Sequence, residues 1–312
     1  MEHGRVAGVS ALEPPLFSVI VPFLDEERWL PLCLESLRRQ TIDPESFELV
    51  FVDNGSSDRS ADVVRSYGDI VLLTEPRRDP YVARNRGITA ARGRYLAFLD
   101  ADCTAHPEWL AELWSEIRGS DASIVVGYLG YPSPRSAALR LFETYENLKL
   151  RHVFAHGLAD FYFGHAGNMV VKADVFAELG PFHPLPVVGD SEIIHRVIGK
   201  HPGAVVCYAQ LAQVEHAEIA RLRDCLRKAF EAGAHSETLM RVSPYRTLPF
   251  SERWRILVAC AREQRYRPRD LLILVGTLLA GWAAFVAGRT VRASRILREG
   301  GRARSLPAEN RR

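Results

Sequence analysis

Several common signatures are missing from this sequence, and each absence narrows the range of functions. The five cysteines form no Cys-x-x-Cys pair and follow no regular spacing, so they indicate neither a zinc site nor a disulfide framework. We therefore expect a reducing compartment. The glycine fingerprints of dinucleotide-binding folds and of P-loops are also absent, which argues against dehydrogenases and kinases. The N-terminus lacks a basic segment followed by an apolar run, so we expect no secretion signal.

A strong charge of one sign is missing as well, because 40 lysines and arginines are balanced by 38 aspartates and glutamates. The formal net charge of +2 gives no field that would gather a polyanion, and no nucleic-acid partner is expected. With 312 residues, the chain is long enough for one large α/β domain and a tail.

Short apolar runs alternate with helical patterns through the first hundred residues. Strands are predicted at 17–23, 47–52, 70–74 and 95–99, and helices at 29–37, 61–67 and 82–91. Such alternation is typical of a parallel sheet with helices on both faces. Further along, the pattern predicts helices at 109–118, 139–153 and 220–232, and strands at 124–128 and 204–214.

Three of the predicted strands end at Pro22, Asp53 and Asp100. Ligands of parallel sheets bind beyond the carboxyl ends of the strands. Because side chains two apart on an extended chain point the same way, the carboxylates of Asp100 and Asp102 are expected to face one point. Mg2+ and Mn2+ prefer carboxylate oxygens and commonly bridge substrate phosphates, so this pair predicts a metal site for a diphosphate ligand. The alternative is a solvated turn, which aspartate also favours.

The segment 271–287 is apolar and carries no charge. As a helix it would rise about 25 Å, slightly less than the roughly 30 Å hydrocarbon core of a bilayer. Arginines lie on both sides of it, and from 289 to 312 eight arginines stand against two glutamates. The segment therefore predicts a membrane span or an in-plane anchor, with a buried core helix as the alternative.

Four motifs follow one another within the same hundred residues. They read Val-Ile-Val-Pro at 19–22 with Glu26, Val-Asp-Asn-Gly-Ser-Ser-Asp at 52–58, Ala-Arg-Asn-Arg-Gly at 83–87 and Phe-Leu-Asp-Ala-Asp at 98–102. In order and spacing this set resembles family 2 of the glycosyltransferases. Gly-His-Ala-Gly-Asn-Met at 164–169, followed by Leu-Gly-Pro-Phe at 179–182, resembles the acceptor-side segment of that family. The resemblance covers roughly residues 16–235.

The resemblance implies the GT-A fold, with a Rossmann-type, parallel-rich sheet flanked by helices. It implies an enzyme that binds a nucleotide-sugar with Mn2+ or Mg2+ and transfers the sugar with inversion. Asp53 resembles the aspartate that binds uracil, which favours a UDP-sugar. The other roles implied by position are a base and ribose pocket at Pro22, Phe23 and Glu26, a base or phosphate contact at Arg84, a ribose or metal contact at Asp100, and metal ligands at Asp102 and His216.

The catalytic base is implied at Asp190, where the family usually has Glu-Asp and this chain has Gly189 before the aspartate. An inverting transfer needs a carboxylate on the acceptor side to take the hydroxyl proton. Glu192 is the alternative. If the stretch is helical, only one of the two can face the site, and Glu192 would then pair with Arg196 at i+4.

These observations predict five segments: an extension (1–15), a GT-A-like domain (16–235), a basic linker (236–268), an apolar helix (269–290) and a basic tail (291–312). The predicted function is an inverting, metal-dependent glycosyltransferase at the cytoplasmic face of the cell membrane, acting on a lipid-linked or cell-surface glycan acceptor. One alternative is a catalytically inert nucleotide-sugar-binding or membrane scaffold protein. The other is a nucleotidyltransferase, which is disfavoured because a lysine-containing, glycine-rich phosphate loop is missing after the first strand.

Overall fold

The computed structural model describes the backbone of residues 14–132, 135–184, 189–242 and 246–304. Most of the predicted N-terminal extension and the last eight residues of the basic tail lie outside these ranges. Strands and helices alternate in the first hundred residues, as the apolar pattern predicts. The strands are β1 (Phe17–Phe23), β2 (Phe47–Asp53), β3 (Val71–Thr74) and β4 (Tyr95–Leu99), and the helices are α1 (Leu30–Arg38), α2 (Ser60–Arg65) and α3 (Pro80–Ala90).

The rest of the chain adds four strands and seven helices within the described residues. The strands are β5 (Cys103–Ala105), β6 (Ile124–Gly130), β7 (Asn168–Lys172) and β8 (Val206–His216). The helices are α4 (Trp109–Ser120), α5 (Ala137–Ala155), α6 (Ala173–Leu179), α7 (Gly189–Lys200), α8 (Leu222–Val242), α9 (Phe250–Glu263) and α10 (Pro268–Arg304). The region 236–268, where the sequence predicts a basic linker, thus contains α9 and the end of α8.

The eight strands form one sheet in the order β3-β2-β1-β4-β7-β6-β8-β5. The first four strands are parallel, as predicted. Beyond β4 the sheet is mixed, because β7 runs antiparallel to β4 and β6, and β5 runs antiparallel to β8. Only the first half therefore has the pure parallel topology that the alternating pattern indicates.

Both faces of the sheet are covered, which also agrees with the prediction. On one face the leucines of α1 pack with Trp109 and Leu113 of α4. On the other face Tyr81 of α3 packs with Phe182 and with Ile193 of α7. Each fully buried Leu or Ile side chain stabilises the fold by roughly 1.5–3 kcal/mol. The sheet is therefore held rigidly between two apolar layers, and its carboxyl edge is left for polar groups.

Candidate functional site

The ends of β1 and β2 bring together the residues predicted to bind the nucleotide base. The parallel register pairs Phe23 with Asp53, the last residues of the two strands. Pro22 and Phe23 are buried. One Asp53 carboxylate oxygen accepts the backbone N–H of Ser56 at 2.8 Å, which holds the loop after β2 in place. Asp53 therefore shapes its own loop at the position where the sequence predicts a base contact.

Glu26 lies in the loop between β1 and α1, where its backbone N–H donates to the hydroxyl of Ser60 at 2.7 Å. Burial and the neighbouring charge of Asp102 raise the pKa of Glu26 to about 7. Glu26 is thus electrostatically coupled to the acidic residues after β4, in addition to standing beside the predicted base pocket.

Asp100 and Asp102 lie in a tight turn, and the prediction that they continue an extended strand is wrong. The strand β4 ends at Leu99, and the N–H of Cys103 donates to the carbonyl of Asp100 at 3.0 Å. The two carboxylates converge all the same, because the turn curls both side chains towards the end of β8. Convergence therefore comes from the turn and from strand pairing, and not from the alternation of side chains along a strand.

His216 reaches Asp102 through the pairing of β5 with β8. Cys103 lies opposite His216 in this antiparallel pair, and the N–H of Ala217 donates to the carbonyl of Asp102 at 2.8 Å. The imidazole Nδ1 lies 3.3 Å from a carboxylate oxygen of Asp102. As a result, potential ligand atoms of Asp100, Asp102, Cys103 and His216 all lie within 4.8 Å of one another.

The chemistry of this cluster suits a hard divalent cation. Burial, followed by the charge of Asp100, raises the pKa of Asp102 to about 7, as expected for two carboxylates held close together in a buried site. Burial also raises the pKa of the Cys103 thiol well above its usual value, so the sulfur stays protonated. The donors that remain are two carboxylates and one imidazole, a set that fits Mn2+ or Mg2+ better than a thiophilic metal.

Lys228 on α8 also belongs to this cluster, and the sequence analysis did not find it. Its ammonium group lies 2.8 Å from Nε2 of His216. An ammonium can only donate, so Nε2 accepts and Nδ1 carries the imidazole proton, which makes no hydrogen bond among the described residues. Burial and the charge of Lys228 lower the pKa of His216 to about 4. No local sequence signal marks Lys228, because its position depends on how α8 packs beside the sheet.

Arg84 is held beneath the acidic cluster. It is only 5% exposed, so the alternative of a surface helix residue is wrong. Its guanidinium donates to a carboxylate oxygen of Asp100 at 2.5 Å and lies 5.1 Å from the centre of the Tyr81 ring. Although burial acts in the opposite direction, Arg84 holds the pKa of Asp100 below its usual value. Asp100 is therefore a fixed, ionised carboxylate.

Asp190 and Glu192 both lie on α7, which is helical as the prediction required. Asp190 accepts the N–H of Ala166 at 3.0 Å and that of Ser191 at 2.8 Å. Burial raises the pKa of Asp190 to about 6. Glu192 instead pairs with Arg196 at 2.8 Å, which confirms the predicted i+4 contact, and lies 3.3 Å from His183. The two carboxylates have different surroundings, and only Asp190 joins the segment that borders the acidic cluster.

The segment 164–168 separates Asp190 from that cluster. Ala166 donates to Asp190, and a Cβ added to Gly167 would lie 2.9 Å from a carboxylate oxygen of Asp100. Both ring nitrogens of His165 are buried without a hydrogen-bond partner among the described residues. Burial lowers the pKa of His165 to about 4, so its imidazole is neutral near pH 7. A neutral imidazole can donate with one nitrogen and accept with the other.

Gly189, which replaces the usual glutamate, is packed against an aromatic ring. A Cβ at this position would lie 2.7 Å from two carbons of the Tyr81 ring. Tyr81 is 4% exposed, and its hydroxyl accepts the N–H of Asp190 at 3.4 Å. The Tyr81 ring therefore fills the space that a side chain at position 189 would need. The same residue contacts Arg84 and Asp190, the predicted base.

Comparison with known proteins identifies the family of this chain. A model described as Glycosyl transferase family 2 matches residues 18–180, which is more than half of the chain. The chain belongs to glycosyltransferase family 2. Glycosyltransferase AglE of Haloferax volcanii is 29% identical over 210 residues, which cover 60% of this chain and 67% of AglE. The validoxylamine A glucosyltransferase of Streptomyces hygroscopicus subsp. limoneus is 35% identical over 128 residues, 39% of this chain but only 28% of that enzyme.

Solved structures agree on the fold of this glycosyltransferase. The mannosyltransferase PcManGT from Pyrobaculum calidifontis, solved with GDP-Man and Mn2+, is 17% identical and superposes with a TM-score of 0.60 over 90% of this chain and 87% of its own. S. aureus TarS 1-349 with UDP is 16% identical, with a TM-score of 0.51 over 91% of each chain. The enzyme therefore has a GT-A-like fold, as the motifs imply.

Proposed function

We propose that this glycosyltransferase moves a sugar from a nucleotide-sugar, with a UDP-sugar favoured, to a lipid-linked or cell-surface glycan acceptor, with inversion at the anomeric carbon. The observation that carries the proposal is the cluster of Asp100, Asp102 and His216 at the carboxyl edge of the sheet, next to the segment that Asp190 holds. The names of the structural relatives, one with GDP-Man and Mn2+ and one with UDP, support a nucleotide-sugar and a divalent metal.

Asp100, Asp102 and His216 would hold Mn2+ or Mg2+. When bound, such an ion would neutralise the charge that develops on the leaving diphosphate. The imidazole of His216 must release either its Nδ1 proton or the Lys228 ammonium in order to act as a ligand. Arg84 fixes the orientation of Asp100.

Asp190 is proposed as the base that accepts the proton of the acceptor hydroxyl. Its two backbone hydrogen bonds fix the carboxylate, and a pKa of about 6 leaves it mostly ionised near pH 7 while keeping it a competent proton acceptor. Glu192 is bound to Arg196 and His183, which leaves it less able to reach an acceptor.

Unpartnered polar atoms also converge on this site. Among the described residues, five buried side-chain atoms have no hydrogen-bond partner, and four of them belong to Arg84, His165 and His216. Buried polar groups are normally satisfied, so a concentration of exceptions indicates a place where a ligand completes the hydrogen bonding. We assign the His165 imidazole to hydroxyl groups of the donor sugar or the acceptor, because it can both donate and accept.

The enzyme is proposed to act at the cytoplasmic face of the cell membrane. One helix of the described residues, Pro268–Val291, is long and apolar enough to cross a bilayer, and an 18-residue window within it has a mean hydropathy of 2.2. A relative at 39% identity over 93 residues is named as a PGL/p-HBAD biosynthesis glycosyltransferase of Mycobacterium bovis, which supports a role in glycan or glycolipid synthesis.

The proposal is tested with purified protein and a panel of UDP-, GDP- and dTDP-sugars. Mn2+-dependent binding is measured by calorimetry, and slow donor hydrolysis is followed by NMR, which also gives the anomeric configuration of the released sugar. We expect one donor to bind with Mn2+ and to release a sugar of inverted configuration. Metal-dependent binding without any turnover would favour the inert scaffold, and a retained configuration would contradict the inverting mechanism.

A further inference from the structure

Helix α10 has two apolar faces, and only one of them is covered. Residues that recur every three or four positions share one side of a helix. Leu274, Thr277 and Gly288 are buried. The opposite side carries a row of exposed apolar residues, which we call the outer stripe: Leu272 (77% exposed), Val275, Leu279 (60%), Trp282 (63%) and Val286. A soluble protein rarely leaves such a row in water.

The covered face ties α10 to the catalytic domain. A Cβ added to Gly233 of α8 would collide with the backbone of Phe285, and one added to Gly288 would collide with the backbone of Phe230. The two helices therefore touch backbone to backbone. Leu274 packs with Leu141 and Tyr145 of α5 and with Ile256 and Cys260 of α9. A bilayer-spanning α10 would have to leave these partners or take them into hydrocarbon.

The partner helix α8 is too polar to enter a bilayer. Arg223 and Arg227 are exposed on it, Arg221 is exposed just before it, and Lys228 reaches into the acidic cluster. A charged side chain at the bilayer centre is strongly unfavourable because hydrocarbon cannot solvate it. Packing therefore argues for an α10 that lies along the surface of a membrane, with the α8 side facing the protein.

Positive charge lies beside the apolar stripe. Four arginines are exposed where α9 is followed by α10: Arg262 at the end of α9, Arg265 and Arg267 between the helices, and Arg269 in the first turn of α10. Arg289, near the far end of the stripe, is exposed as well. None of Arg262, Arg265 and Arg267 forms an ion pair with a carboxylate in the described part of the chain. Basic residues near an anionic lipid surface are attracted to its headgroups. An anionic bilayer would remove the outer stripe from water and also supply negative headgroups for these arginines.

Phe250 and Trp254 add exposed aromatic area on the neighbouring helix. They are 79% and 55% exposed, and their rings stack with centroids 6.5 Å apart. Aromatic side chains with one apolar and one wet surface are typical of the membrane interface. Their exposure is consistent with a lipid surface next to α9.

We infer that α10 lies in the plane of an anionic bilayer surface, with the outer stripe in the acyl boundary and the arginines at the headgroups. The same geometry brings the active site close to lipid. Lys228 contacts His216, while Gly233, five residues further along α8, contacts α10. Five helical residues rise about 7.5 Å, and the diameter of α10 adds about 10 Å before the outer stripe is reached. Resting on the proposed function, this short distance assigns an acceptor whose own anchor remains in the bilayer.

The first test measures the depth of the outer stripe. Leu272→Cys, Leu279→Cys and Val286→Cys carry nitroxide labels, and unmodified protein is the control for its own cysteines, four of which are buried. With phosphatidylcholine vesicles containing phosphatidylglycerol, we expect the three labels to report one shallow depth. A deep label at 279 between two shallow ones would show a spanning helix and overturn the inference. Labels that remain exposed to water would also overturn it. So would labels whose spectra broaden because two copies of the protein associate through the stripe.

The second test removes the stripe without touching the active site. In the Leu279→Glu/Trp282→Glu double variant we expect vesicle binding to fall at least tenfold, whereas Leu211→Glu, at a 63% exposed site on β8, should bind as the wild type does. Unchanged vesicle binding by the double variant would contradict the assignment. Mn2+-dependent hydrolysis of the soluble donor should persist in both variants, and its absence from the wild type would instead contradict the proposed function.

The wild type and the double variant also serve to identify the class of acceptor. Vesicles made with a membrane lipid extract receive radiolabelled donor, and label is counted in the organic phase. We expect labelled lipid with the wild type and at least tenfold less with the double variant. Label that appears only in water-soluble product would overturn the lipid-anchored acceptor.

Discussion

The two halves of the sheet build the candidate site in different ways. In β1 to β4, each functional residue follows its own strand, and parallel neighbours place the strand ends side by side, as Phe23 and Asp53 show. In β5 to β8, residues meet only through antiparallel pairing and helix packing, as Asp102 and His216 do across the β5–β8 pair. The first half is therefore specified by local sequence, and the second half by contacts between residues far apart in the chain.

The largest expected effect comes at the junction of the two halves. Asp102→Ala removes a carboxylate that both the turn after β4 and the end of β8 help to place. Since a bound metal stabilises a transition state by several kcal/mol, we expect turnover to fall at least about 10³-fold and Mn2+-dependent donor binding to disappear. Kinetics and calorimetry measure both. Asp174→Ala removes an exposed carboxylate and is the control. Near-normal activity of Asp102→Ala would contradict the assignment of Asp102 as a metal ligand.

The next largest effect is expected from changing Asp190, which belongs to the second half alone. We expect Asp190→Asn to lower kcat by about 10²–10⁴-fold with donor binding retained, because the amide cannot accept a proton. Glu192→Gln should change kcat much less, since Glu192 is bound to Arg196. In the wild type, kcat/KM should fall as the pH drops below about 6, where Asp190 becomes protonated. A larger loss from Glu192→Gln than from Asp190→Asn would reverse the assignment of the base.

The ionisable carboxylates at the junction of the two halves should make the stability of the protein depend on pH. Without metal, Glu26 and Asp102 each have a pKa of about 7, above their unfolded values, so the folded state binds protons more tightly. The contribution of these two carboxylates to the stability of the metal-free protein should therefore fall as the pH rises from about 4 to about 7, while the lowered pKa values of His165 and His216 act in the opposite direction over much of the same range. Mn2+ needs ionised carboxylates, so the increase in Tm on adding it should be small at pH 5 and several degrees at pH 8. Thermal scans measure this, and the same increase in Asp102→Ala would contradict the site.

The smallest effect tests whether Tyr81 and Gly189 fit each other. Gly189→Ala drives a methyl group into the Tyr81 ring, and overpacking of this kind costs about 1–3 kcal/mol of unfolding free energy. Gly199→Ala on the same helix meets nothing within 4 Å and should be neutral or slightly stabilising. Denaturant unfolding of the two variants gives the comparison. Equal stability of both variants would mean that the ring moves aside freely.

The candidate site was predictable to different degrees in the two halves. Asp53, Asp100 and Asp102 follow apolar strands, so their common edge could be inferred from the sequence, although the turn at Asp100 could not. The i+4 pair of Glu192 and Arg196 was predictable because helical spacing is local. Lys228 and Tyr81 had no comparable signal, because their roles depend on where whole helices pack. The contact of Arg84 with Asp100 likewise needs the burial of α3 against the sheet.

By itself, the sequence determined the alternation of strands and helices, the acidic motif after β4 and the apolar length of α10, because each of these is a pattern among near neighbours. The tertiary structure decided the mixed pairing beyond β4, the meeting of His216 with Asp102, and the contact of Asp190 with the segment that borders the acidic cluster. It also decided that only one face of α10 is covered. These features depend on strand register and helix packing, which follow from the free energy of the whole fold.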